Sequence, residues 1–158
     1  MLTAKWEEHL GSVAIGKVLP RELSYSYSYD GVCVGTLRFK EVTEATGITG
    51  LAFRPLQSTL FAVRPVAVVR FDAIRRKTQF ERLCGVCGQH EVVVGATPLF
   101  LLPGAMVPEN GFARTDLEFG SRDAKTPVIV SGHEVIHIVQ RARLRGLVFK
   151  EAVTVCLG

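Results

Sequence analysis

The hydrophobic and polar positions along the chain fall into one pattern used twice. Val32, Val34, Gly50, Leu51 and Phe53 recur without a gap as Val128, Val130, Gly146, Leu147 and Phe149. Each copy reads as a short β-rich run, a polar or glycine break, a helix-like stretch, a turn, and an apolar run carrying a basic residue. The pattern predicts two strand–helix–strand units, over about residues 32–56 and 128–153. Thr36 is placed to cap a helix running through Ala45, its hydroxyl accepting a free backbone N–H. Gly47 and Gly50 end that helix, because glycine enters left-handed geometry without a Cβ clash. In the second unit Ser131 and Glu134 have the spacing of a capping box. Val135, Ile138, Val139 and Ala142 then form the core stripe.

Before the first unit, Tyr25-Ser26-Tyr27-Ser28-Tyr29 alternates with period two, a strand with its tyrosines on one face, and Asp30-Gly31 turns the chain. Such a tyrosine face suits either a partner surface or cross-strand packing. Between the units the chain is β-rich. Phe61 to Phe71 reads as a strand with Pro65 marking an edge or bulge. Thr78–Leu83 and His90–Val94 read as the arms of a hairpin about Cys84-Gly85-Val86-Cys87-Gly88. Residues 95–111 hold three prolines and three glycines, and read as a loop with an apolar middle, Leu99–Leu102. Residues 112–121 are mixed, and Arg114–Gly120 within them fits a short helix or an irregular strand. Residues 5–10 fit one helical turn. The sum is an α+β fold, two strand–helix–strand repeats around a β-rich centre.

Composition narrows the class. A chain of 158 residues with 47% hydrophobic and 22% charged positions suits a single domain spanning 1–158, with a sizeable core. The net charge of +4 is mild, and neither Arg75-Arg76-Lys77 nor Arg141, Arg143 and Arg145 is interleaved with a stacking platform of aromatics. The expectation is no nucleic-acid partner. No apolar run approaches a membrane span and no signal-like segment opens the chain, so the expectation is a cytoplasmic protein without a membrane partner. In a reducing compartment Cys33, Cys84, Cys87 and Cys156 are thiols or metal ligands rather than disulfides.

Two constellations carry candidate chemistry. His133-Glu134-Val135-Ile136-His137 has the spacing that places two imidazoles on one helix face, ready to share a Zn²⁺ with the glutamate polarising a water. Against a metal centre stand the cap at its start, a core stripe that turns both histidines to water, and Leu37 and Glu41 at the matching places of the first unit. Cys84-Gly85-Val86-Cys87-Gly88 has the form of a zinc knuckle, whose glycines let backbone N–H groups point at the thiolates. It is half a site, with His90, Cys33 or Cys156 as the side chains that would complete it. Cys84 and Cys87 are the candidate metal ligands.

The order of parts resembles a known family. Gly50-Leu51-Ala52-Phe53-Arg54-Pro55, Cys84-Gly85-Val86-Cys87-Gly88, Phe112-Ala113-Arg114-Thr115-Asp116-Leu117 and Arg145-Gly146-Leu147-Val148-Phe149-Lys150 are similar to the bacterial double-CxxCG-motif immunity proteins, small cytoplasmic proteins that neutralise a toxin of the same lineage. The family's first C-x-x-C-G has no counterpart here, since residues 22–34 contain only Cys33. The resemblance implies a cognate protein toxin as partner and no catalytic residues. The resulting expectation is a non-enzymatic bacterial interaction protein, working as an immunity protein without a cofactor. The alternatives are a zinc-dependent hydrolase using His133, Glu134 and His137, and a small structural-zinc adaptor using Cys84 and Cys87.

Overall fold

The computed structural model describes residues 23–28 and 31–154. The expected turn at residues 5–10, together with Tyr29, Asp30 and Cys156, lies outside them. The protein is α+β. Its elements are β1 (Tyr25–Tyr27), β2 (Cys33–Thr36), α1 (Leu37–Ala45), β3 (Leu51–Gln57), β4 (Leu60–Pro65), β5 (Ala67–Val69), α2 (Ala73–Arg76), β6 (Gln79–Leu83), β7 (His90–Val94), β8 (Leu99–Leu101), β9 (Phe112–Ser121), β10 (Thr126–Ser131), α3 (His133–Arg141) and β11 (Ala152–Thr154). A 3-10 turn at Arg122–Ala124 joins β9 to β10.

Three sheets hold them. One has the order β1-β2-β4-β3; a second has β10-β9-β7-β6, with β5 also on β9; β8 and β11 make a parallel pair. In the first sheet β4 lies between β2 and β3 and is antiparallel to both. β2, α1 and β3 therefore form a crossover unit with β4 inserted at its centre.

The two expected units agree in the bounds of their helices and in the bonds that end them. Leu37–Ala45 aligns with His133–Arg141 end to end. After α1, Thr46, Gly47 and Ile48 donate to Val42, Glu44 and Thr43; after α3, Ala142, Arg143 and Leu144 donate to Ile138, Gln140 and Val139. The preceding hairpins match as well. Tyr25 pairs with Gly35 and Tyr27 with Cys33, as Phe112 pairs with Ser131 and Arg114 with Ile129. The turns are exchanged between units: Phe112 donates to Thr49 O, and Tyr25 donates to Arg145 O. Each unit's turn thus seats on the strand that precedes and pairs with the other unit's first strand, the reciprocal contact that a twofold axis generates. One core fills the space between them. It holds Tyr25 with Phe112, Phe39 with Val135, and Val63, Val139 and Leu144, with Ile48, Leu51, Phe53, Leu147 and Phe149 packed on it. A second core on the opposite face of β9–β10 contains Val69, Phe71, Leu99, Leu101, Ala113 and Val130.

Several expectations are corrected. Residues 61–71 are not one strand: the ladder leaves β4 at Val66, and β5 pairs with β9 instead. Residues 95–111 are not all loop, because Leu99–Leu101 gains backbone partners from distant β11. Residues 112–121 are a ten-residue strand, held by β10, β5 and β7 together. The second unit's closing strand is reduced to Ala152–Thr154; Leu147–Phe149 is irregular, since among the described residues no strand follows to pair with it as β4 pairs with β3. The capping box does not form. Ser131 ends β10, Gly132 caps α3 with no side-chain bond, and the Glu134 N–H donates to Glu109 O. Glycine stands at the cap because a Cβ there would overlap the carbonyl oxygens of Pro108 and Glu109.

Candidate functional site

α3 starts one residue after its cap, which places His133 at its first position and His137 one turn on. Val135 and Val139 face the core and are buried. His133, Glu134 and His137 consequently face outward and are exposed. The two imidazoles stack edge to face, with centroids 4.8 Å apart. They share a face, as the spacing requires, but among the described residues no group of three or more His, Cys, Asp or Glu side chains gathers there or elsewhere.

Cys84 and Cys87 lie at the tip of the β6–β7 hairpin. β6 and β7 pair in register from Gln79 with Val94 to Leu83 with His90. The tip is closed by Cys84 N–H to Gln89 O and Gly88 N–H to Cys84 O. Gly88 supplies the left-handed residue at φ 66°. The backbone N–H groups of Cys87 and Val86, and the Cys87 thiol, donate to the Cys84 sulfur and pull its thiol below the usual range. This is the geometry that stabilises a thiolate and suits a metal ligand. The hairpin brings two donors together. Cys33 is remote, in β2 under the tyrosines, and His90 stacks on Phe80 at 5.2 Å.

The hairpin also carries exposed apolar side chains. All five residues of β6 are exposed. Leu83 is 64% and Val86 98% exposed, and Ile74 of nearby α2 is 91% exposed. β6 pairs only with β7, which leaves its outer edge without a ladder among the described residues. An unpaired edge with apolar side chains is a template for another chain.

The tyrosine strip divides. Tyr25 is buried in the core and Tyr27 is half exposed, their rings 5.9 Å apart. Burial raises the Tyr25 phenol, with Cys33 and Tyr27 adding to it; burial also raises the Cys33 thiol against hydrogen bonds from both tyrosines. The sequence reading missed a cleft beside this strip. It has a volume of about 130 Å³ and is lined by Tyr25, Tyr27, Phe112, Ile129, Ser131 and Gly146–Phe149.

Among the described residues no helix is long and apolar enough to cross a membrane. Comparison with protein-family models, with curated proteins and with solved structures yields no match to this chain.

Proposed function

We propose that this chain is a non-catalytic binding protein of the bacterial cytoplasm that neutralises a cognate protein toxin by covering it. The observation that carries the binding reading is the β6–β7 hairpin, whose outer edge has no ladder among the described residues and whose Leu83 and Val86 stand in solvent. A protein keeps such an edge at the risk of aggregation, so it is retained where a partner uses it. The toxin as target rests on the motif resemblance at Gly50–Pro55, Cys84–Gly88, Phe112–Leu117 and Arg145–Lys150. On this reading the protein needs no cofactor, and its partner is neither nucleic acid nor membrane. A second reading, a small zinc adaptor, is favoured by the N–H groups that converge on Cys84.

Genetics separates these readings. Deleting the gene should cause self-poisoning that the wild-type chain relieves and a Leu83→Asp/Val86→Asp variant does not. Absence of self-poisoning removes the toxin assignment. Full relief by the double variant removes the hairpin as the contact. Loss of relief in Cys84→Ser together with loss of bound zinc would favour the adaptor.

A further inference from the structure

The tip of the β6–β7 hairpin holds two thiols in one turn. Cys84 N–H donates to Gln89 O and Gly88 N–H to Cys84 O, which fixes the backbone on both sides of Cys84. Three residues on, the turn brings Cys87 back to it. The N–H groups of Cys87 and Val86 and the Cys87 thiol all donate to the Cys84 sulfur. Donors converging on one sulfur favour its thiolate, and the charge of Glu91 opposes it less than they support it. The two sulfurs are therefore unlike: that of Cys84 receives hydrogen bonds, and that of Cys87 gives one. Both are free thiols. Cys87 is exposed and Cys84 half-buried, with Gly85, Val86 and Gly88 exposed around them. A Cβ added at Gly85 or Gly88 would meet nothing within 4 Å, so a small reagent reaches this turn from solvent. Cys33, by contrast, packs on the shared core and is hydrogen-bonded to Tyr25 and Tyr27.

We propose that Cys84 and Cys87 form an oxidation site, in which Cys84 attacks a hydroperoxide and Cys87 resolves the product to a disulfide. The thiolate is the attacking form of cysteine, and an accessible thiolate beside a second thiol is the kind that oxidises reversibly. In the first step the Cys84 sulfur attacks a peroxide oxygen. An S–O bond forms, the O–O bond breaks, hydroxide leaves when the oxidant is hydrogen peroxide, and Cys84 becomes a sulfenic acid. In the second step the Cys87 sulfur attacks the Cys84 sulfur. The S–S bond forms, the S–O bond breaks, and the departing hydroxide takes the Cys87 thiol proton to become water. The two sulfurs lose one electron each and the two peroxide oxygens gain one each. The resolving thiol is already hydrogen-bonded to the sulfur it attacks, so the disulfide closes within the turn. Val86 lies between the two cysteines, so oxidation also alters the apolar tip offered to a partner. This chemistry goes beyond the binding reading and does not depend on it: the genetic test can fail while the oxidation stands, and the reverse.

The test treats the full reduced chain with hydrogen peroxide, alkylates the remaining thiols and maps the peptides by mass spectrometry. The peptide containing Cys84 and Cys87 should lose two hydrogens, with the bond between these two residues, and regain them with a dithiol reductant. Oxidation should be about tenfold or more faster in the folded chain than in the chain unfolded by urea. Cys87→Ser should stop at a sulfenic acid on Cys84, trapped by a cyclic diketone, whereas Cys84→Ser should lose the fast reaction. Both substitutions lie at the open tip, and a urea midpoint equal to that of wild type checks that each variant folds. Equal rates in the folded and unfolded chain, or diketone trapping as fast on Cys87 in Cys84→Ser as on Cys84 in Cys87→Ser, overturns the proposal. So does the absence of a disulfide, or one that joins Cys84 to Cys33, to Cys156 or to a second chain.

Discussion

Gly50 and Gly146 show how a single missing side chain holds the two units together. Both have positive φ, 78° and 99°. A Cβ on Gly50 would overlap the Phe112 carbonyl oxygen, and one on Gly146 the Tyr25 carbonyl oxygen. Gly50→Ala and Gly146→Ala should each cost more than the ~1 kcal/mol of left-handed strain alone, about 2–3 kcal/mol. Gly47→Ala, with nothing within 4 Å of its Cβ, should show only the strain. Urea denaturation reads the difference, and equal losses at all three positions would contradict the exchanged-turn contact. Arg143, at φ 52°, occupies the place of Gly47. A second residue-scale expectation concerns pH. The Tyr25 phenol and Cys33 thiol are raised in the folded state. Their stabilisation is therefore complete below the unfolded values, near 8.5 for Cys and 10 for Tyr, and is lost as pH rises from there towards the folded values. Midpoints measured from pH 7 to 11 should fall less steeply for Tyr25→Phe than for wild type; parallel curves would count against a buried phenol.

At the scale of elements, α1 and α3 occupy equivalent places with different starts. The Thr36 hydroxyl accepts the Phe39 N–H at 3.2 Å, whereas Gly132 contributes only backbone. Thr36→Ala should cost about 1 kcal/mol, while Ser131→Ala loses no cap. Phe39, 1% exposed at the centre of the shared core, should cost about 3–5 kcal/mol on truncation to Ala. Thermal or urea unfolding of the three variants tests that order. The bounds of α1 were legible because cap, periodic stripe and terminating glycine are all local. Those of β8 and β9 were not. Leu99–Leu101 sits between Pro98 and Pro103 and becomes a strand through β11. Phe112–Ser121 carries charges that obscure its period. Its Arg114 is nonetheless buried, with Nε donating to Pro65 O at 3.1 Å, a partner no local pattern announces.

At the scale of the whole molecule, the reciprocal seating of turns makes one core from two units, and the segment between them adds the hairpin as an appendage. Gly85 and Gly88 have open space around them, and the tip buries nothing in either core. Replacing Cys84–Gly88 with an Asn-Gly turn should therefore leave stability within about 0.5 kcal/mol, measured by urea unfolding, while removing partner binding if the hairpin is the contact. A large loss of stability would mean that the tip is structural.

The amino-acid order alone determined the α+β class, the aligned helices, the turn glycines and the hairpin about Cys84 and Cys87, because helix caps, side-chain periodicity and left-handed turns are decided within a few residues. It also placed His133 and His137 on one face, since that is a matter of helical pitch. Which strands pair, where α3 is capped, and that the chain leaves its first ladder at Val66 to pair β5 with β9 were decided by tertiary structure. Those outcomes depend on which distant backbone groups arrive to satisfy an edge, and no local run of residues specifies its partner.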